Sequence, residues 1–171
     1  DHEWIFGPGG AMETFQKAKE QGKIRYIGFS AHSEAAGLAL LENYQFDSIL
    51  YPVNYVCWAE GSFGPKVVAK AKEQGAAVLA LKSLAHTPWD KGAERTHPKC
   101  WYRPIDDVER ARAALRFTLA QGATAAIPPG DETIYNIALD LAPDLQPMET
   151  AEQQRVLDAA KGLDPLFTAR V

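Results

Sequence analysis

Lys17–Gly22 reads KAKEQG and runs into Lys23–Phe29, KIRYIGF. Lys70–Gly75 reads KAKEQG again, an offset of 53 residues, and runs into Ala76–Leu81, AAVLAL. Each copy ends a run of helix formers with apolar positions at helical spacing, and closes on a glycine where a left-handed cap is wanted. Each is followed by a short apolar segment of the kind buried on both faces of a parallel sheet. A third instance ends at Leu119–Gly122 (LAQG) and leads into Ala123–Ile127, then the breaker Pro128-Pro129-Gly130. Between the two full copies lies another pair, helix Glu34–Tyr44 and strand Asp47–Asn54.

Strands alternating with helices at this spacing need crossover connections, so the pattern predicts a parallel sheet built from right-handed βαβ units. The expected elements are helix 10–21, strand 23–29, helix 34–43, strand 47–54, helix 64–74, strand 76–82, loop 83–105, helix 106–121, strand 123–127 and helices 131–141 and 149–161. An open doubly wound sheet would use the same alternation. No linker divides residues 1–171, which read as a single domain. Four strands cannot close an eight-stranded barrel, and 171 residues fall short of the ~250 that a complete (β/α)8 barrel takes.

Composition narrows the function classes. Hydrophobic content of 46% with 23% charged residues is globular. A net charge of −4 without long single-sign blocks argues against nucleic acid or an anionic membrane as the main partner. No apolar run approaches the ~18–20 residues of a membrane span, and DHEWIFGPGG has neither the basic start nor the apolar stretch of a signal peptide. Cys57 and Cys100 read as reduced thiols in a cytoplasmic protein.

Ligands of parallel α/β folds sit outside the carboxyl ends of the strands, which selects Gly28–Ser33, Asn54–Phe63, Lys82–Pro104 and Pro128–Thr133. The third is too long for a simple connection and carries Trp89, Trp101, Tyr102, His86, His97 and Cys100, the composition of a binding loop. Gly28-Phe29-Ser30-Ala31-His32 lacks the last glycine of a nucleophile elbow, and His32 suits a loop neighbour better than a base. His86, His97 and Cys100 have no known metal-ligand spacing. Pro128–Thr133 opens a helix and is read equally well as a phosphate site or as a plain N-terminus capped by Asp131. The common nucleotide fingerprints are missing. Lys82 ends an apolar strand, where desolvation would lower its pKa; a solvated rim lysine is the even alternative. Asn54 ends the preceding strand and can both donate to and accept from a carboxamide, or cap a turn. Packing accounts for Trp58–Phe63 as well as a second aromatic loop does.

KAKEQGKIRYIGFSAHS, FDSILYPVNY, VLALKSLA, KCWYRP and AAIPPGDE, in this order, resemble the second half of the aldo/keto reductase family, from about Gly9 to Leu166. The resemblance implies a partial (β/α)8 barrel carrying the last four strands, and carbonyl reduction with NADP(H) or NAD(H). It implies that the Asp, Tyr, Lys and His tetrad belongs to strands outside this chain; His2 lacks the apolar strand that precedes the family's histidine. No catalytic residue and no metal ligand is therefore assigned, and the chain alone is expected to be inactive. By the same resemblance, Ser30 would hold the nicotinamide amide, Asn54 would stand beside it, Lys82 would stand in the place of a ring-stacking tyrosine, and Gly130 would lie in the phosphate loop. The Lys and Arg that grip a 2′-phosphate are absent there. A half barrel leaves strand edges and an inward face open. Exposing ~500 Å2 of such surface gives up about 12 kcal/mol, so a homodimer or a partner chain supplying the other strands is expected. The alternatives are terminal helices folded over the edges, and a non-catalytic half-barrel that serves as a binding or assembly module.

Overall fold

A computed structural model describes residues 2–169, with the side chain of His2 outside the description. The elements in chain order are α1 (His2–Phe6), α2 (Ala11–Glu20), β1 (Gly28–Ser30), α3 (Glu34–Asn43), β2 (Ser48–Pro52), α4 (Tyr55–Ala59), α5 (Pro65–Glu73), β3 (Ala77–Leu81), β4 (Ala85–Pro88), β5 (Tyr102–Pro104), α6 (Val108–Ala120), β6 (Ala125–Ile127), α7 (Glu132–Leu141), a 3-10 turn (Ala142–Asp144) and α8 (Thr150–Asp158). The repeated helix ends behave as their glycines require: Gly22, Gly75 and Gly122 have φ of 68°, 73° and 88°, the left-handed conformation that costs a residue with a Cβ.

Strands β1, β2, β3 and β6 form one sheet in that order, all parallel. The order decides between the two readings of the alternation. A doubly wound sheet reverses its strand order and covers both faces with helices. Here the order never reverses, and the helices cover one face. Leu41 of α3 and Val67, Val68 and Ala71 of α5 pack with Ile49, Tyr51, Val78 and Ala80. Farther along, α6 and α7 pack together through Leu115, Phe117, Ile134 and Ala138. The chain is therefore a partial barrel wall of four parallel strands.

Strand register sorts the other residues onto the opposite face. Ser48, Leu50, Ala77, Leu79 and Leu81 alternate with the buried set and remain half-exposed, all three residues of β6 are half-exposed, and Gly28 and Ser30 are exposed. This is the face that a barrel turns inward.

Three expectations need correction. Residues 23–27 lie outside strand β1. The Lys23 and Ile24 N–H groups donate back to the Ala18 carbonyl of α2. Ile27 meets Asp47 twice, its carbonyl accepting from the Asp47 N–H at 2.8 Å and its N–H donating to the Asp47 carboxylate at 2.7 Å, which also pairs with Lys19 at 2.9 Å. Loop 83–105 contains a two-stranded antiparallel sheet, β4 with β5, irregular at His86; Pro88 and Pro104 hid it, since proline is confined to edges in sheets. The stretch after Asn54 is helix α4, whose Tyr55, Val56 and Cys57 are buried, so packing is the right account of it. Among the described residues no helix is long and apolar enough to cross a membrane.

Candidate functional site

The four singled-out residues fall at the carboxyl ends of four neighbouring strands. Ser30 ends β1 opposite Leu50. Pro52 pairs with Leu81, and the Val53 N–H continues the ladder by donating to the Leu81 carbonyl at 2.9 Å, which brings Asn54 and Lys82 to the same rim. Ile127 also pairs with Leu81, and Gly130 follows it by three residues.

Ser30 is exposed on the open face. No hydrogen bond joins it to His32, whose ring instead lies 5.6 Å from that of Phe167, so the pair does not form a nucleophile and its base. Asn54 is 1% exposed. Its Oδ1 caps α4 by accepting from the Cys57 N–H at 2.9 Å, while its Nδ2 has no partner. A buried donor without an acceptor costs about 1–3 kcal/mol. The capping role is thus met by one half of the amide, and the other half is buried and unmatched.

Lys82 has φ of 66°, a conformation that residues with a Cβ seldom adopt. Its Nζ stands 5.1 Å from the Tyr102 ring centroid and 5.6 Å from that of Trp101, and those two rings meet edge to face at 86°. Burial draws its pKa down, with the nearby Cys100 working in the opposite direction. No carboxylate lies within ion-pairing distance among the described residues, whereas Lys19, Lys66, Lys70, Lys99 and Lys161 all have one.

Gly130 is exposed, and a Cβ built on it would meet nothing within 4 Å. Asp131 caps α7 through the Ile134 N–H at 3.4 Å. Burial works against its charge, but hydrogen bonds from His97 and from the Ile134 and Thr133 backbone outweigh that and hold its carboxyl below the ordinary 3.8. His97 Nδ1 is 3.2 Å from Asp131 and its Nε2 is 3.6 Å from Asp106. The imidazole therefore ties the β4–β5 loop to the starts of α6 and α7, a link that sequence spacing gives no means of finding. Among the described residues no cluster of His, Cys, Asp and Glu is arranged to hold a metal.

The carboxyl-terminal segment is the other feature that sequence reasoning missed. Phe167 stacks on Phe63 at 5.3 Å and meets Trp101 at 6.2 Å, and the Ala169 N–H donates to the Gly61 carbonyl at 2.9 Å. A Cβ at Gly61 would collide with the Phe167 carbonyl oxygen. The segment thus crosses the rim and touches three of its four loops.

No protein-family model matches the chain, and no curated protein does. Solved structures do. An aldo-keto reductase from Bacillus halodurans, AKR11C1 in its holo form, superposes with a TM-score of 0.59 at 17% identity, over 94% of this chain and 59% of its own. The glycerol dehydrogenase AKR11B4 from Gluconobacter oxydans gives 0.55 at 19% identity, over 91% and 56%. MGS-M4, an aldo-keto reductase from a Medee basin deep-sea metagenome library, gives 0.58 at 14%, over 94% and 57%. The chain spans less than three-fifths of each. Its single-sided parallel sheet and these superpositions together identify the fold as a partial (β/α)8 barrel of the aldo-keto reductase type.

Proposed function

We propose that this chain is the cofactor-binding portion of an NAD(P)H-dependent carbonyl reductase. The observation that carries the reading is the placement of Ser30, Asn54, Lys82 and Gly130 on one rim, at the ligand end of a sheet with the aldo-keto reductase fold. The residues suit a nicotinamide dinucleotide. Asn54 offers an unmet Nδ2 donor to the carboxamide oxygen. Ser30 is open to the same group, Lys82 stands beside the ring, and the bare backbone at Gly130 leaves room for the pyrophosphate. The bound nicotinamide supplies the hydride; the chain's own residues bind and orient. Asp131 and Glu132 at the start of α7 disfavour an extra phosphate, so NADH is expected to bind at least as tightly as NADPH.

The proton-donating groups belong to further strands, and the inward face with its two free edges receives them, from a second copy or from a partner chain. The isolated chain then turns over aldehydes near background; an ordinary reductase rate would contradict this part. Titration with NADH and NADPH, followed by tryptophan fluorescence, tests the rest. Asn54→Ser keeps a good cap oxygen and removes the amide donor, so binding should weaken about tenfold, in line with a buried hydrogen bond, while the free chain becomes no less stable because the unpaired donor is gone. If neither nucleotide quenches fluorescence, the binding-module alternative stands instead.

A further inference from the structure

Helices α4 and α6, strand β4 and the end of α8 leave a cavity of about 240 Å3 between them, and none of Ser30, Asn54, Lys82 and Gly130 lines it. Two helix faces account for the space. Arg110, Ala113 and Ala114 fall at i, i+3 and i+4 and so share one face of α6. Val156 of α8 and Ala159, its C-cap, stand three apart and share a face of that helix. Three alanines at such a meeting fill little of the gap between the elements.

The cavity has two sides. Ala113, Ala114, Val156 and Ala159 form an apolar wall, and Tyr55, His86 and Arg110 form a polar corner. Tyr55 is 6% exposed, and its ring is 6.4 Å from those of both His86 and Phe117. Burial raises its pKa, with Arg110 opposing, so the phenol keeps a proton to donate. Burial, then Arg110 and Arg103, draw the His86 pKa below the ordinary 6.5, with Asp106 opposing. The imidazole is therefore uncharged at neutral pH, with one N–H to give. Among the described residues Arg110 is then the only charged group lining this cavity. The acids next to the corner are engaged elsewhere: Asp106 pairs with His97 at 3.6 Å, and Asp107 accepts from the Arg110 backbone N–H at 2.9 Å.

Three donors and one positive charge beside an apolar wall match one chemistry. A carboxylate accepts from all three donors and meets the guanidinium fork two bonds at a time, while a hydrocarbon tail displaces water from the wall. The volume lies just below the ~300–1,000 Å3 of ordinary ligand sites, so the ligand is small. We propose that this cavity binds a small organic monocarboxylate, its carboxylate on Arg110, Tyr55 and His86 and its short carbon chain along the alanine wall.

The test is a titration of the full chain with hexanoate, without nucleotide, followed by amide NMR shifts. The shifts should gather at Ala113, Ala114 and Val156. Hexanol, which has the same chain length and no charge, should bind about tenfold more weakly, the difference made by a hydrogen bond to a charged group. Arg110 is exposed, so Arg110→Met should leave the fold intact, reduce hexanoate binding to the hexanol value and leave hexanol unchanged. Tyr55→Phe keeps the packing and loses one donor; it should weaken hexanoate about threefold or more. Ala113→Leu enters from a half-exposed position and should abolish binding of both. Equal affinity for hexanoate and hexanol, undiminished hexanoate binding by Arg110→Met, or shifts that gather away from α6 and α8 would overturn the proposal. The nucleotide takes no part, so the outcome is independent of the cofactor reading.

Discussion

Ile49 and Leu50 are consecutive on β2, yet Ile49 is sealed beneath the helices while Leu50 stays half-exposed. The same division runs through β3, with Val78 and Ala80 on one side and Leu79 and Leu81 on the other. Strand periodicity of two guarantees that neighbours part ways; it does not guarantee that both sides find cover. The helix-covered side is a finished core in which α3 and α5 interlock with the strands, as at Gly37, where a Cβ would press on Val67 at 3.3 Å. The other side carries comparable apolar residues, Leu50, Leu79 and Leu81, that no helix seals among the described residues. Two surfaces of one sheet thus have different standing: one is sealed under helices, and the other is left half-exposed.

The sharpest way to break this distinction is truncation on each face. Ile49→Ala should cost about 2–5 kcal/mol in urea unfolding, whereas Leu79→Ala should cost under about 1 kcal/mol in the isolated chain. When strands completing the barrel are supplied, the Leu79 value should rise toward the Ile49 value; equal costs from the outset would show that the open side is already covered. Next in size, Gly61→Val places a side chain against the Phe167 carbonyl. A loss of about 1–3 kcal/mol is expected, with a change in the near-ultraviolet circular dichroism of Trp101 as the carboxyl-terminal segment leaves the rim.

Caps give smaller effects. Asp107 accepts from the Arg110 N–H at 2.9 Å, and Asp107→Ala should cost about 1 kcal/mol. Smallest is the acid response. The Asp47 carboxyl is held below its ordinary 3.8 by the Ile27 N–H and then by Lys19. A carboxyl depressed in the folded state contributes stability that is full above its unfolded value and is lost as pH falls through its folded one. Stability should therefore decline below pH 3.8, and Asp47→Asn should flatten the slope seen in urea melts at successive pH values. Asp131→Asn should behave likewise, and in addition free the His97 loop.

Legibility differed between segments for physical reasons. The helix expected from Glu34 to 43 or 44 is Glu34–Asn43 with Tyr44 as its C-cap, because its information is local: Ser33 caps it by accepting from the Ala36 N–H at 3.3 Å, and its apolar spacing is helical. The third strand, expected at 76–82, is Ala77–Leu81, an ordinary boundary difference. The strand expected at 23–29 is Gly28–Ser30 because Lys23 and Ile24 bond back to the Ala18 carbonyl of α2 and the Ile27 N–H donates to the distant Asp47 carboxylate. Asp131 declared itself as a cap through its place before an apolar helix. Its second partner, His97, lies 34 residues away and is joined to it by a fold of the long loop.

The chain's order of residues by itself determined the βα alternation, the helix ends at Gly22, Gly75 and Gly122, and the carboxyl-end rim where Ser30, Asn54, Lys82 and Gly130 belong, since all of these follow from periodicity, capping and the direction of parallel strands. Only the tertiary structure decided the unreversed strand order, which separates a barrel wall from a doubly wound sheet. It alone set the ring corner around Lys82, the unmatched Nδ2 of Asn54 and the passage of Phe167 across the rim. These depend on which groups meet across tens of residues, and loop closure brings such groups together without leaving a spacing in the sequence to betray them.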